Sequence, residues 1–152
     1  LNIPMTESRE LIDNYFDTYP GIKTFMDQTL STARNNGYIS TLHGRRRKTI
    51  NLNSGRVQMV RAEERAVINM PIQGTAAEII KIAMKRIQIK LKTLKLNAKM
   101  ILQIHDELLF ETSKNEVNDL IKLAVYEMEN AVKLNVPIKV EYGIGVSWFE
   151  AH

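Results

Sequence analysis

The sequence has no cysteine among its 152 residues. Disulfide bridges and thiolate metal sites are therefore excluded, and a reducing compartment is allowed but not demonstrated. No apolar run approaches the length of about eighteen residues that a membrane-spanning helix requires. Internal repeats, low-complexity tracts and a clear linker are also absent from the sequence. These absences exclude the disulfide-stapled and helical membrane-spanning classes.

What is present is typical of a globular protein. Hydrophobic residues make up 44% and charged residues 25% of a chain that is long enough for one domain with a real core. The formal net charge of +4 is compatible with a polyanionic partner but is too small to identify one. The sequence begins with Leu1 rather than with methionine, in the middle of a pattern. We therefore interpret it as a piece of a longer protein.

A histidine and two acids separate two short apolar runs in the C-terminal half of the chain. The runs Met100–Ile104 and Leu108–Phe110 are rich in Ile, Leu and Phe and have the length of buried strands. The sequence therefore predicts a hairpin with His105, Asp106 and Glu107 at its tip. Adjacent buried carboxylates repel each other unless a cation, a proton or water compensates them, and Mg²⁺ fits that need. The alternative is an ordinary acidic turn that faces water.

Helical periodicity covers most of the remaining chain. Residues 1–37 carry the pattern of two helices, which we expect to pack as an antiparallel pair. A further helix begins near Val60, and Pro71 is expected to interrupt or kink it before it continues to about Leu94. A buried stripe is predicted along the second half of this helix, and it consists of Ala76, Ile80, Ala83, Ile87, Leu91 and Leu94.

The segment after the hairpin predicts one more helix and one more strand. The helix extends from Val117 to Ala131. Ile138, Val140 and Tyr142 then alternate with charged residues, which is the pattern of a half-exposed strand. Trp148 and Phe149 are expected to anchor the end of the chain against the core, because aromatic side chains of this size favour burial.

Four consecutive cations form a second candidate site. The sequence predicts a strand at Tyr38–Leu42, a turn that carries Arg45–Lys48, and a return strand at Thr49–Leu52. Arginine presents paired donors to phosphate oxygens, so this turn is a candidate phosphate clamp. The alternative is a solvated basic tip, since basic runs are common on protein surfaces.

Three polar residues are spaced four apart before and after Pro71. Arg65, Asn69 and Gln73 form a row along one side of a helix if the kink at Pro71 is mild. Their side chains can donate to purine N3 and pyrimidine O2, which lie at nearly the same place in the minor groove for every base pair. Such a row would hold a duplex without reading its sequence. The alternative is a surface row with a capping Asn.

The order and the separation of these stretches resemble the C-terminal part of the family A DNA polymerases, of which the bacterial polymerase I type is the nearest. The resemblance covers essentially the whole chain, and several motifs occur together at the expected separations. The stretches that carry it are Asn69–Glu78, Gln103–Leu108, Thr41–Arg47 and Tyr142–Trp148.

The resemblance implies an α+β fold that is part of a polymerase palm. A small antiparallel sheet, the central hairpin, would pack on long helices, and a helical pair derived from the fingers would precede it. Residues 1–37 correspond to the last helices of the fingers subdomain, and residues 38–152 correspond to the C-terminal part of the palm. The second metal-binding aspartate and the helix that binds the nucleotide triphosphate would lie upstream of Leu1.

The resemblance also implies roles for the hairpin tip. Asp106 matches the metal-binding carboxylate, so it is assigned as a metal ligand and as a catalytic residue. Glu107 matches an auxiliary catalytic acid near the metals, and His105 a residue that touches the primer backbone near its 3′ end. The cofactor implied is Mg²⁺, as two ions with one ligand set outside this chain.

The remaining DNA contacts implied by the resemblance are in the first half of the chain. Arg65, Asn69 and Gln73 match helix residues that contact primer and template in the minor groove. The turn Arg45–Arg47 matches a contact to the duplex backbone, with Arg45 and Arg46 as the assigned DNA-binding residues.

The implied function is template-directed DNA synthesis in replication and repair. The partners would be primer-template DNA, deoxynucleoside triphosphates and the remainder of the polymerase chain, in the cytoplasm near the bacterial nucleoid and without a membrane. The isolated chain is expected to be inactive. Two other functions are open, namely a non-catalytic module that binds duplex DNA and the palm of a single-subunit RNA polymerase.

Overall fold

A computed structural model describes residues 4–152, so the first three residues of the predicted fingers segment lie outside the described part. Helices and small antiparallel sheets make up the structure, which confirms the α+β class. The described elements are α1 (Met5–Thr18), α2 (Pro20–Asn36), β1 (Tyr38–Ser40), β2 (Arg46–Lys48), α3 (Val57–Thr93), β3 (Ala98–Ile104), β4 (Glu107–Thr112), α4 (Val117–Glu129) and α5 (Trp148–Ala151).

The chain folds as two compact units, Leu1–Thr75 and Ala76–His152. This division follows contacts within the chain, and it differs from the predicted boundary between fingers and palm after residue 37. That boundary concerns a larger protein and remains a prediction. In the described residues, no helix combines the length and the apolar character that crossing a membrane would need.

The first unit builds its core between α2, the β1–β2 hairpin and the first half of α3. Pro20 occupies the first turn of α2, where its missing N–H is not needed, and Gly37 ends the helix at φ 72°. The chain then turns directly into β1. The buried core consists of Ala33, Ile39, Leu52 and Val67, with Leu30 and Met70 packed against it.

Helix α1 contributes little to this core. It contacts α2, as expected for a helical pair, but it contains no buried residue. Leu11, Ile12 and Tyr15 are about half exposed, at 54%, 56% and 48%. These apolar side chains stay about half exposed because no neighbouring element among the described residues covers that side of α1.

The β1–β2 hairpin is shorter than predicted, and its second strand is the basic run itself. Ser40 pairs with Arg46 and Tyr38 with Lys48, so the return strand is not Thr49–Leu52. The tight turn explains the difference, because Thr41 N–H donates to the Arg45 carbonyl oxygen at 2.9 Å. The basic residues therefore lie mainly in a strand rather than on a turn.

Helix α3 passes through Pro71 without ending, so of the interruption or kink predicted there, the interruption is absent. Proline at this position removes one N–H···O=C bond to the residue four positions earlier. The Thr75 hydroxyl donates to the Pro71 carbonyl oxygen at 2.5 Å. Burial of Val67 before the proline and of Ile80 after it favours the helix on both sides.

The second unit builds its core between the rest of α3, α4 and the β3–β4 hairpin. Four members of the predicted stripe, Ile80, Ala83, Ile87 and Leu91, are buried. Ala76 and Leu94 are exposed, because they lie near the two ends of the stripe. Ile87 and Leu91 form a cluster with Leu120 and Ala124 of α4, against which pack Leu96, Ala98, Met100, Leu108, Phe110, Leu123 and Met128.

Strands β3 and β4 form the predicted hairpin. Ala98 pairs with Thr112 at the open end and Ile104 with Glu107 at the closed end, with an irregularity in the register between Met100 and Leu102. Alternate residues on this hairpin face the core of the second unit, which is why Met100 lies in the cluster while Ile101 is 55% exposed.

Two predictions for the end of the chain are wrong. The segment 138–142 is not a strand, because the Val140 N–H donates to the Glu129 side chain at 3.2 Å and no strand of the described residues pairs with it. Trp148 and Phe149 do not anchor the core, since they are 49% and 93% exposed. The alternating pattern at 138–142 is real, but a strand also requires a partner.

We expect the substitution Ile87→Ala to lower the free energy of unfolding by about 2–5 kcal/mol, because Ile87 is fully buried and its removal leaves a cavity. Ile89→Ala is the matched control, since Ile89 lies two residues away on α3 and is 53% exposed. Its effect should stay within about 0.5 kcal/mol. Urea unfolding of both variants measures the difference, and equal effects would contradict the assigned core.

Candidate nucleic-acid interface and metal centre

The tip of the β3–β4 hairpin is a turn of two residues. Because Ile104 pairs with Glu107, only His105 and Asp106 connect the strands. His105 has a φ of 53°, and the Gln103 side-chain amide donates to its carbonyl oxygen at 3.0 Å. Positive φ matches the twist of a two-residue hairpin loop, but it strains a residue that has a Cβ atom. This turn places Asp106 at the end of the hairpin.

The two carboxylates at the tip are exposed, which corrects the expectation of buried acids. Glu107 begins β4, and its Oε1 lies 3.2 Å from Nδ1 of His152, an ion pair when the histidine is protonated. No hydrogen bond to the Asp106 carboxylate is present among residues 4–152. Water can therefore solvate both acids, and their repulsion is weaker than in a buried pair.

The donor set at the tip fits a magnesium ion only in part. Asp106 and Glu107 supply the carboxylate oxygens that Mg²⁺ prefers, and Mg²⁺ commonly takes one or two protein carboxylates together with substrate phosphates. The described residues contain no cluster of three or more Asp, Glu or His side chains that would hold a metal by themselves. A magnesium ion at the tip would therefore be held by one or two carboxylates of the described residues, and water or phosphate oxygens would complete its coordination.

The row on α3 is continuous because the helix does not break at Pro71. Arg65, Asn69 and Gln73 are all exposed. Residues four apart differ by about 40° around an α-helix, so the three side chains form a slowly turning row. Their donors are available to an external partner along this side of α3.

The opposite side of α3 packs on the β1–β2 hairpin. Glu63 and Val67 are buried there, and Arg65 and Asn69 each lie two positions further along the helix. Two positions correspond to about 200° of rotation. The row therefore faces away from the hairpin, and the hairpin does not cover it.

The three arginines of the basic run have different environments. Arg45 and Arg46 are exposed, and the Arg46 guanidinium lies 4.5 Å from the centre of the Tyr38 ring. Arg47 points to the other side of β2, where its Nη1 lies 2.7 Å from Oε1 of buried Glu63. Arg45 and Arg46 are thus free to contact a polyanion, whereas Arg47 holds the hairpin on α3.

Sequence reasoning missed the pairing of Arg47 with Glu63. Alternate residues of a strand point to opposite sides, so the orientation of Arg47 follows only once the residues that pair in the β1–β2 hairpin are known. The prediction from the sequence placed Arg47 on a turn, where this rule does not apply. Sequence reasoning also missed the contact of His152 with Glu107. The two residues are far apart along the chain, and no sequence motif links them.

Comparisons with known proteins identify the family of this chain. The family model described as DNA polymerase family A matches residues 1–150, and the chain therefore belongs to this family. Among curated relatives, it is 45% identical over 150 residues to DNA polymerase I of Deinococcus radiodurans and 42% identical over 151 residues to that of Geobacillus stearothermophilus.

The matches cover nearly all of this chain but a small part of each relative. The alignments to the Deinococcus and Geobacillus proteins include 99% of this chain and 16% and 17% of the relatives. A solved structure, the POL domain of Pol1 from M. smegmatis in complex with DNA primer-template and dNTP, matches with a TM-score of 0.95 and 42% identity. That match covers 99% of this chain and 27% of the solved chain.

We expect Arg47→Ala to lower the free energy of unfolding by about 1–3 kcal/mol, because buried Glu63 loses its charged partner. Arg46→Ala is the matched control on the same strand, and its cost should stay below about 1 kcal/mol. Chemical denaturation of both variants tests this. A larger loss for Arg46→Ala than for Arg47→Ala would contradict the assigned orientations.

Proposed function

We propose that this chain is part of a DNA polymerase that adds deoxynucleotides to a primer 3′-hydroxyl under the direction of a template, in DNA replication and repair. The observation that carries the proposal is the likeness, over 99% of the chain, to a polymerase domain solved with DNA primer-template and dNTP. Primer-template DNA, deoxynucleoside triphosphates and the remainder of the polymerase chain are the proposed partners, in the bacterial cytoplasm near the nucleoid.

Within that polymerase, residues 1–37 form the last helices of the fingers, and residues 38–152 form the C-terminal part of the palm. The exposed apolar side of α1 supports this arrangement, since Leu11 and Ile12 would be covered by other parts of a larger protein. The isolated chain is proposed to be inactive. Its described residues hold an incomplete set of metal ligands.

Asp106 is the proposed metal ligand and a catalytic residue. Asp106 is exposed at the end of a paired two-stranded hairpin, so a metal ion can approach it from the solvent. When bound, two Mg²⁺ ions supply activation of the primer hydroxyl and stabilisation of the charge on the departing pyrophosphate. Glu107, which begins β4 beside Asp106, adds negative charge next to that site and acts as an auxiliary catalytic acid.

His105 is the proposed contact to the primer backbone. The left-handed backbone at φ 53° turns the chain sharply, and the side chain of His105 is exposed at the tip. An imidazole N–H there can donate to a phosphate or sugar oxygen near the primer 3′ end. This contact would position the primer without reading its sequence.

Arg65, Asn69 and Gln73 are the proposed contacts to the minor groove. The row is exposed and continuous, and each side chain carries N–H donors. Purine N3 and pyrimidine O2 accept hydrogen bonds at nearly equivalent places in every correctly formed base pair. The row would therefore hold a paired duplex of any sequence.

Arg45 and Arg46 are the proposed contacts to the duplex backbone. Both are exposed, and neither is committed to an acidic partner among the described residues. Contacts of this kind contribute affinity that falls as salt concentration rises. They would add to duplex binding without adding base preference.

We expect Asp106→Ala in the intact protein to reduce nucleotide incorporation by at least about a thousandfold, because a metal ligand is lost from the reacting centre. Affinity for primer-template DNA should change less than about threefold, since Asp106 is not among the duplex contacts. Single-turnover primer extension and a binding titration measure the two quantities. Asp119→Ala, which removes another exposed carboxylate of the second unit, is the control and should leave both unchanged.

Near-normal incorporation by Asp106→Ala would rule out the assigned metal ligand. An equal loss in Asp119→Ala would show that the effect comes from general charge or stability rather than from the hairpin tip.

We expect Gln73→Ala to raise the Kd for primer-template DNA by about threefold to tenfold, which corresponds to the loss of one or two hydrogen bonds. The increase should be the same for duplexes of different sequence, because the acceptors in the minor groove are shared by all base pairs. Gln88→Ala, an exposed glutamine further along α3, is the matched control. A defect that depends on base sequence would contradict the proposed row.

A further inference from the structure

The row on α3 has a structural problem at Pro71. Arg65 and Asn69 precede the proline, and Gln73 follows it. Pro71 has no N–H, so the Val67 carbonyl oxygen receives no backbone bond from it, and proline rings also crowd the preceding turn. A helix can bend most easily at such a point. A bend of this kind would move Gln73 out of line with the other two side chains.

The β1–β2 turn contacts α3 immediately after Pro71. The Leu42 N–H donates to Oγ1 of Thr75 at 3.0 Å, while the same hydroxyl donates to the Pro71 carbonyl oxygen. The contact is close, because a Cβ atom on Gly74 would lie only 2.6 Å from Cγ2 of Thr41. Thr75 thus ties the turn and the helix together within one turn of the proline.

The same hairpin, together with Asn51 shortly after it, contacts α3 a second time before Pro71. Arg47 pairs with Oε1 of Glu63 at 2.7 Å, and the Asn51 amide donates to Oε2 of Glu63 at 3.4 Å. Ile39 of β1 is buried in the same cluster as Val67. Glu63 and Thr75 are twelve positions apart, which is about 18 Å along a helix.

We infer that the β1–β2 hairpin is a brace across Pro71, and that Glu63 and Thr75 are positioning residues that keep Gln73 in line with Arg65 and Asn69. The inference rests on the proposed function of this row as a contact to the minor groove. The brace lies on the side of α3 that faces away from the row, so it can act while DNA is bound.

The brace predicts a selective effect of the Thr75 hydroxyl. Thr75→Val removes both hydrogen bonds and keeps the size and branching of the side chain. Gln73 then loses its fixed position, whereas Arg65, eight positions before it, keeps its own. Thr75→Ser retains the hydroxyl and should rescue the defect.

The test uses the intact protein and primer-template duplexes in which one adenine at a time is replaced by 3-deazaadenine. This base pairs normally but lacks the N3 acceptor of the minor groove. The KM for each duplex is compared with that for the unmodified duplex. The variants Gln73→Ala and Arg65→Ala show which adenine each side chain contacts. At that position, removal of N3 no longer raises the KM of the variant.

For the native protein, we expect 3-deazaadenine at the positions that Gln73 contacts to raise the KM about fivefold, because one hydrogen bond is lost. In Thr75→Val this increase should disappear, while the increase at the positions that depend on Arg65 remains. Thr75→Ser should behave like the native protein. Thr24→Val is the matched control, because Thr24 makes the same kind of bond to the Pro20 carbonyl oxygen in α2.

Each outcome separates the brace from the proposed function. If the native protein shows the increases in KM and Thr75→Val keeps all of them, the brace is overturned and the row is retained. If no modified duplex raises the KM of the native protein, the row is overturned, and the brace with it. If Thr75→Val does not fold, Thr75→Ala replaces it, since it also removes the hydroxyl that makes both hydrogen bonds. An unchanged profile in a folded Thr75→Ala variant would likewise overturn the brace.

Discussion

Burial along α3 is the constraint on which the rest of this structure depends. Val67 is fully buried in the core of the first unit, and Ile87 is fully buried in the core of the second. Each core is marginal without the helix, because the hairpins alone are too small to exclude water. The helix therefore tolerates Pro71, whose local cost is outweighed by the apolar surface buried on both sides of it.

The parts of the fold that sequence reasoning predicted well have a strong local period. The stripe at Ile80, Ala83, Ile87 and Leu91 follows from helical spacing, and the β3–β4 hairpin follows from two apolar runs separated by polar residues. The row of Arg65, Asn69 and Gln73 followed from spacing alone. The structure places the three residues on one continuous helix and leaves them exposed, while their contact with DNA stays a prediction.

The failures have a common physical origin in contacts that are distant along the chain. Ile138, Val140 and Tyr142 have the alternation of a strand, but a strand needs a neighbour, and alternation says nothing about whether one is present. Burial of Phe149 likewise depends on a surface that could receive it. For the candidate site, the residue types could be predicted, whereas the inward orientation of Arg47 required knowledge of which residues pair in the β1–β2 hairpin.

One side of the β3–β4 hairpin packs on the core of the second unit and the other side is exposed, which has a consequence for handling the protein. A two-stranded sheet presents unpaired N–H and C=O groups at both edges, and here Ile101 and Leu102 are 55% and 46% exposed beside them. Such an edge is a template for strand addition by another molecule. Separated from a covering surface, the chain would tend to self-associate through this hairpin, and the same residues that mount Asp106 would then drive its aggregation.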